Sequence, residues 1–109
     1  MKNITYNYFL KLHKKLYKVV SGYVDVDCYE QTTCDENYEY YLKEKVTEDQ
    51  IAKLRNGIKQ SIEEDGLSVS IYEDNAIGVY GKSDTPFIEI HVYTIDEGNT
   101  VCMDISFIE

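Results

Sequence analysis

An α+β fold is what this sequence predicts: an antiparallel sheet flanked by two amphipathic helices, in the order α-β-β-α-β-β-β-β. Three observations predict it. Through residues 67–108 apolar positions alternate with polar ones, the period of half-buried strands. Through residues 4–20 apolar positions recur every three or four, the period of a helix that covers something. Between these stretches, Thr47-Glu48-Asp49-Gln50 has the form of a capping box ahead of a second apolar stripe.

In the first helix, Phe9, Leu12, Leu16, Val19 and Val20 form the apolar stripe, with Tyr6 and His13 at its margin. Lys11, Lys14, Lys15 and Lys18 make the opposite stripe and are expected to face water. Asn3 or Thr5 suits its start, and Gly22 stands where a C-terminal cap belongs. A hairpin is expected next. Residues 23–30 alternate Val24, Val26 and Cys28 against Tyr23, Asp25, Asp27 and Tyr29. Residues 31–37 read as a polar loop. Residues 38–46 alternate Tyr38, Tyr40 and Leu42 against Glu39, Tyr41 and Lys43.

Thr47 is the expected cap of the second helix, and Gln50 reaches back to it. Val46 and Ile51 occupy the staple positions. Ile51, Leu54, Ile58 and Ile62 form the buried stripe, and the helix is expected to stop at Gly66. A four-strand meander follows. Leu67, Val69 and Ile71 come first, then the turn Glu73-Asp74-Asn75, then Ile77 and Val79. Gly78 and Gly81 weaken this second strand and suggest a bulge or an edge. Ile88, Ile90 and Val92 alternate with Phe87, Glu89, His91 and Tyr93. The hairpin loop Asp96-Glu97-Gly98-Asn99 leads to Val101, Met103, Ile105 and Phe107, which alternate with Cys102, Asp104, Ser106 and Ile108. Even closure of this hairpin sets His91 opposite Asp104 and Tyr93 opposite Cys102. One face of the sheet is then dry; the other mixes tyrosine, serine and acids.

A chain of 109 residues makes one domain, residues 1–109, and 43% hydrophobic content suffices for its core. No apolar run approaches the ~20 residues of a membrane span, and the amphipathic start is unlike a signal peptide. A cytoplasmic location is the expectation. Cys28, Cys34 and Cys102 are an odd set without metal-type spacing, expected as free thiols. With His91 they make no convincing zinc site, and the acidic turns are too short for a calcium loop. No metal and no cofactor are expected. A Cys102/His91 enzyme is the weaker alternative: the thiolate needs a positioned base beside it, and even closure sets Tyr93, not His91, opposite Cys102, with His91 paired to Asp104 as a surface cross-strand pair.

Charge is the remaining feature. The net charge is −9. Residues 1–20 hold five lysines and no acid; residues 21–109 hold six basic residues against all 20 acids, a balance of −14. Such a body repels nucleic acid and membrane surfaces alike and suits a basic protein surface. Asp25 and Asp27 stand two apart on one strand, so about 6.6 Å separates them. Glu30, Asp35, Glu36 and Glu39 continue the patch, interleaved with Tyr23, Tyr29, Tyr38 and Tyr41. Acids of this kind also serve solubility alone. Read as a site, these ten residues bind the Lys/Arg-lined groove of a nucleic-acid-handling protein, because tyrosine adds contact area at low entropy cost.

In these acids and tyrosines the chain resembles the small acidic inhibitors that phages and mobile elements direct at host nucleases, anti-CRISPR and anti-restriction proteins among them. It is similar as well to the acidic immunity proteins that neutralise nuclease toxins. The resemblance lies in composition and carries over no functional residue. It implies a non-enzymatic inhibitor that acts as a nucleic-acid mimic on a CRISPR effector nuclease or a restriction enzyme, with an immunity protein as the alternative. A third class, a self-associating protein joined through an exposed strand edge, is open to any sheet with free edges.

Overall fold

The computed structural model describes residues 2–21, 29–34, 37–42 and 46–108, the two segments 29–34 and 37–42 by backbone and register. Helix α1 spans Lys2–Ser21 and α2 spans Glu48–Glu63. The strands are β1 (Tyr29–Cys34), β2 (Asn37–Leu42), β3 (Ser68–Ile71), β4 (Ile77–Tyr80), β5 (Ile88–Ile95) and β6 (Thr100–Phe107). The class and the α-β-β-α-β-β-β-β order are those expected. All six strands form one antiparallel sheet in the order β1-β2-β6-β5-β4-β3. The meander is thus intact, and the first hairpin joins it along β6.

Both helices cover the same face. On that face Val79, Ile88 and Phe107 lie in one cross-strand row, and Ile77, Ile90 and Ile105 lie in the next. Phe9, Leu12 and Leu16 of α1 and Ile51, Leu54, Ile58 and Ile62 of α2 bury against these rows in one core. Burying a side chain of this size contributes roughly 1.5–3 kcal/mol, so the two stripes hold the layers together.

The start of α2 follows its local sequence closely. Gln50 donates its backbone N–H to Thr47 Oγ1 (3.2 Å), and Thr47 donates its own to Gln50 Oε1 (2.8 Å). Val46 and Ile51 are both buried beside it. Val46 also donates to the Gly98 carbonyl (3.2 Å), which ties the β5–β6 hairpin to the chain entering α2. At the far end Gly66 donates to Glu63 O (3.0 Å) with φ +87°, the left-handed conformation that glycine takes without cost. Thr47→Ala leaves one capped N–H without its acceptor and is expected to lower stability by about 1 kcal/mol, read as a lower midpoint in urea. An unchanged midpoint would mean the cap does not hold the helix.

Several expectations are corrected. Helix α1 already includes Lys2, so Asn3 and Thr5 lie inside it rather than at its start; no proline or glycine precedes Tyr6 to stop it. Gly22 and the side chain of His13 lie outside the described residues. Lys15 does not join Lys11, Lys14 and Lys18 in water. It turns to α2, where its Nζ donates to Ser61 O (2.9 Å) and meets Asp65 Oδ2 (2.8 Å). The stretch 31–34, read as loop, is strand: Gln31-Thr32-Thr33 pairs with β2. Threonine suits a strand, and polar residues are tolerated because β1 is the sheet edge. Residues 22–28, with the alternation expected there, lie outside the described residues.

Gly78 marks neither bulge nor edge. Strand β4 is interior and regularly paired with β3 and β5. The Tyr72 ring lies over Gly78, and a Cβ there would come within 2.7 Å of Tyr72 Cζ. Glycine makes room for the ring. Phe87, expected on the polar face, is buried in the core and meets the Tyr8 ring edge-on at 6.4 Å. It stands just before β5, donates to Val79 O (2.9 Å) and accepts from Ile108 N–H (2.9 Å), and its ring turns under α1.

Candidate interaction surface

Among the described residues, no helix covers the second face of the sheet. Along β5 it presents Glu89, His91, Tyr93 and Ile95; along β6, Thr100, Cys102, Asp104 and Ser106. The register sets His91 opposite Asp104 and Tyr93 opposite Cys102, as expected from even hairpin closure. On the other side of β6, Glu39 pairs with Asp104 and Tyr41 with Cys102. Glu30 pairs in turn with Tyr41. Acids and tyrosines therefore occupy neighbouring rows across β5, β6, β2 and β1.

Charge is segregated between the layers. None of the strand positions in these rows is a lysine or arginine. Among the described side chains the lysines and arginine belong to α1 and α2, with Lys82 in the β4–β5 loop. His91 is the one residue in these rows able to become a cation; its Nε2 lies 3.6 Å from Glu89 Oε1. Ser106 Oγ donates to Asp104 Oδ1 (3.3 Å). At the β3–β4 end the hydroxyls of Tyr72 and Tyr80 are hydrogen bonded to each other. That bond, then burial and the nearby negative charges of Glu89 and Asp74, push Tyr72 up to about 12. Both rings are half-buried.

The ten residues singled out in the sequence are divided by the register. Glu30, Glu39 and Tyr41 occupy rows of the open face. Tyr38 pairs with Ile105, and Tyr29 pairs with Leu42, itself opposite Val101, so both fall in rows of the helix-covered face. Tyr23, Asp25, Asp27, Asp35 and Glu36 lie outside the described residues. Glu89, His91, Tyr93 and Asp104 were missed as members of the surface. Their signal was present: the period-two alternation already put them on the polar face.

Beside Tyr93, the start of α2, the Asn75 turn and the Asp96–Gly98 turn enclose an open cleft of about 920 Å³. Arg55 lines it, and its Nη2 donates to Val92 O (2.7 Å). Its Nε is buried without a hydrogen-bond partner among the described residues, and burial lowers the guanidinium below its ordinary pKa. Glu48, Asp49 and Glu97 also line the cleft, so its charged side chains are three acids and one guanidinium, and that guanidinium is committed to the sheet backbone. Cys102, the other candidate for chemistry, is 2% exposed in the middle of a sheet row. Among the described residues no group of three or more His, Cys, Asp or Glu is placed to hold a metal ion, and no helix is long and apolar enough to cross a membrane.

Compared with protein-family models, with curated proteins and with solved structures, the chain finds no match.

Proposed function

We propose that this chain is a small acidic interaction protein of the cytoplasm. It binds the basic groove of a nucleic-acid-handling protein, such as a CRISPR effector nuclease or a restriction enzyme. It inhibits that protein by occupying the groove as a nucleic-acid mimic. The observation that carries the reading is the open sheet face: acids and tyrosines in adjacent rows, on strands free of lysine and arginine. A groove built for phosphates presents cations over an extended surface. A flat face of carboxylates on paired strands meets it without ordering long side chains from scratch, and its field steers the encounter. The helices, which carry most of the lysines, cover the opposite side.

The test is a set of DNA-cleavage assays on restriction, CRISPR and toxin nucleases with the protein titrated in. Inhibition that added duplex relieves is expected for at least one enzyme; relief only with a toxin would identify the immunity-protein alternative. The variant Glu39→Lys, Glu89→Lys, Asp104→Lys is expected to associate about 10- to 1,000-fold more slowly at low salt. A control reversing Glu63 and Glu64, at the end of α2, is expected to change little. Undiminished inhibition by the sheet variant would overturn this face, and no inhibition across the panel would overturn the nuclease reading.

A further inference from the structure

Strand β3 ends the sheet, and among the described residues β4 is the only strand paired with it. The turn between them fixes which backbone groups of β3 are already used. Tyr72 donates to Ala76 O (2.8 Å) across that turn. Hydrogen-bonded and non-hydrogen-bonded pairs alternate along an antiparallel ladder. Ser68 and Ser70 therefore bond to β4, while the N–H and C=O groups of Val69 and Ile71 point out of the sheet. Among the described residues nothing pairs with them. Sheets commonly protect such an edge with a lysine, a proline or a bulge. Strand β3, Ser68-Val69-Ser70-Ile71, has none of these, and its register is unbroken. We propose that this edge takes up an extended segment of a basic partner as a seventh strand, with a cation at each end of that segment.

The charges around the edge choose the occupant. Residues 60–81, which carry β3, β4 and the turns beside them, hold five acids and no lysine or arginine. Glu63, Glu64 and Asp65 precede β3; Glu73 and Asp74 follow it. Asp65 is held by Lys15 and Tyr8, Glu63 is held by Lys59, and Asp74 Oδ1 accepts from the Ala76 N–H. Glu64 and Glu73 are exposed and make no such contact among the described residues, one before the strand and one after it. A second copy of the chain is a poor occupant. Antiparallel pairing through β3 brings the Glu73 end of one copy to the Glu64 end of the other, like charge against like. A segment with lysine or arginine at both ends meets opposite charge at each. Paired residues on neighbouring strands share a face of the sheet. Val69 lies in the core and Ile71 packs against it, whereas Ser68 and Ser70 are exposed. The incoming strand therefore suits apolar residues opposite Val69 and Ile71, with polar residues between them. This edge shares no residue with the acidic rows proposed above.

The probe is an acetylated and amidated peptide of alternating valine and threonine with two lysines at each end, added to the whole chain. Binding is expected to slow amide hydrogen exchange at Val69 and Ile71 by about tenfold. Ser68 and Ser70, already bonded to β4, are expected to change little. The same peptide N-methylated at its valines, whose amides would face β3, is expected to bind about tenfold more weakly. Glutamates in place of its lysines are expected to weaken it by about as much at low salt. The variant Glu64→Lys, Glu73→Lys is expected to lose the preference for lysine ends while keeping its circular dichroism. Binding that brings no new protection at Val69 and Ile71 would place the contact on the acidic face and overturn the edge. Equal binding of the N-methylated peptide, or no binding of the lysine-ended one, would overturn it as well. A dimer of the free chain with these two amides protected before peptide is added would overturn the choice of occupant. None of these outcomes bears on inhibition of a nuclease through the acidic rows, which the cleavage assays read separately.

Discussion

Phe9→Ala is expected to destabilise the protein by about 3–5 kcal/mol, the usual cost of deleting a fully buried aromatic ring. Phe9 is 0% exposed. Its ring centroid lies 6.0 Å from that of Tyr6 and 5.5 Å from that of Phe107, and Tyr6 meets Phe107 edge-on at 5.2 Å. The three rings join α1 to β6. Truncation removes the transfer energy of the ring, leaves a cavity that a helix backbone cannot collapse into, and takes away two ring–ring contacts. With total stabilities of about 5–15 kcal/mol for native domains, this one change consumes much of the margin. The measurement is urea unfolding followed by far-ultraviolet circular dichroism. A loss below about 1 kcal/mol would mean that α1 is not docked through this ring. Phe9→Leu, which keeps most of the volume, is expected to lose less and keeps the test readable if the alanine variant fails to fold.

Asp65→Asn is expected to cost roughly 1–2 kcal/mol near neutral pH and nothing in acid. Asp65 Oδ2 accepts from Tyr8 Oη (2.8 Å) and pairs with Lys15 Nζ (2.8 Å). Hydrogen bonds to charged groups contribute about 1.5–3 kcal/mol. With 35% of the Lys15 side chain and 32% of the Asp65 side chain exposed, water and salt reduce that figure. The hydrogen bond from Lys15 holds the Asp65 carboxyl below its ordinary pKa; burial opposes it, and the hydrogen bond from Tyr8 and the charge of Lys15 add to the lowering. The folded value is depressed, so the contribution is complete above the unfolded value of about 3.9 and disappears as pH falls through the folded one. Tyr8 is shifted the other way. Burial first, then the hydrogen bond to Asp65 and its negative charge, raise the phenol well above its ordinary value. That contribution is complete below about pH 10 and is lost as pH rises through the folded value. Native and Asp65→Asn stabilities compared across pH should therefore converge in acid. A gap that persists at pH 2 would show that charge is not what Asp65 supplies.

Much of this molecule was legible one segment at a time. The capping box, the glycine stop at Gly66 and the stripe Ile51, Leu54, Ile58, Ile62 are local signals, and local backbone geometry obeys them. The alternation in β5 and β6 was enough to set His91 opposite Asp104, because a four-residue hairpin loop leaves little freedom of register. Strand β1 was illegible for the opposite reason. Gln31-Thr32-Thr33 has no apolar period, and only pairing with β2 makes it a strand. Gly78 read as a weakness because the ring that needs its space, Tyr72, arrives from across a turn.

By itself, the sequence determined which residues turn inward on α2, β5 and β6, and that the acids lie outside α1. Those are consequences of periods of 3.6 and 2, which each segment carries alone. The tertiary structure decided what no period contains. It set β6 between β2 and β5, bringing Glu39 beside Asp104 although 65 positions separate them. It turned Lys15 from the solvent stripe onto Asp65. And it stacked both helices on one face, because the two apolar stripes and the one apolar face of the sheet can leave water only against each other, which leaves the acidic face without a helix among the described residues.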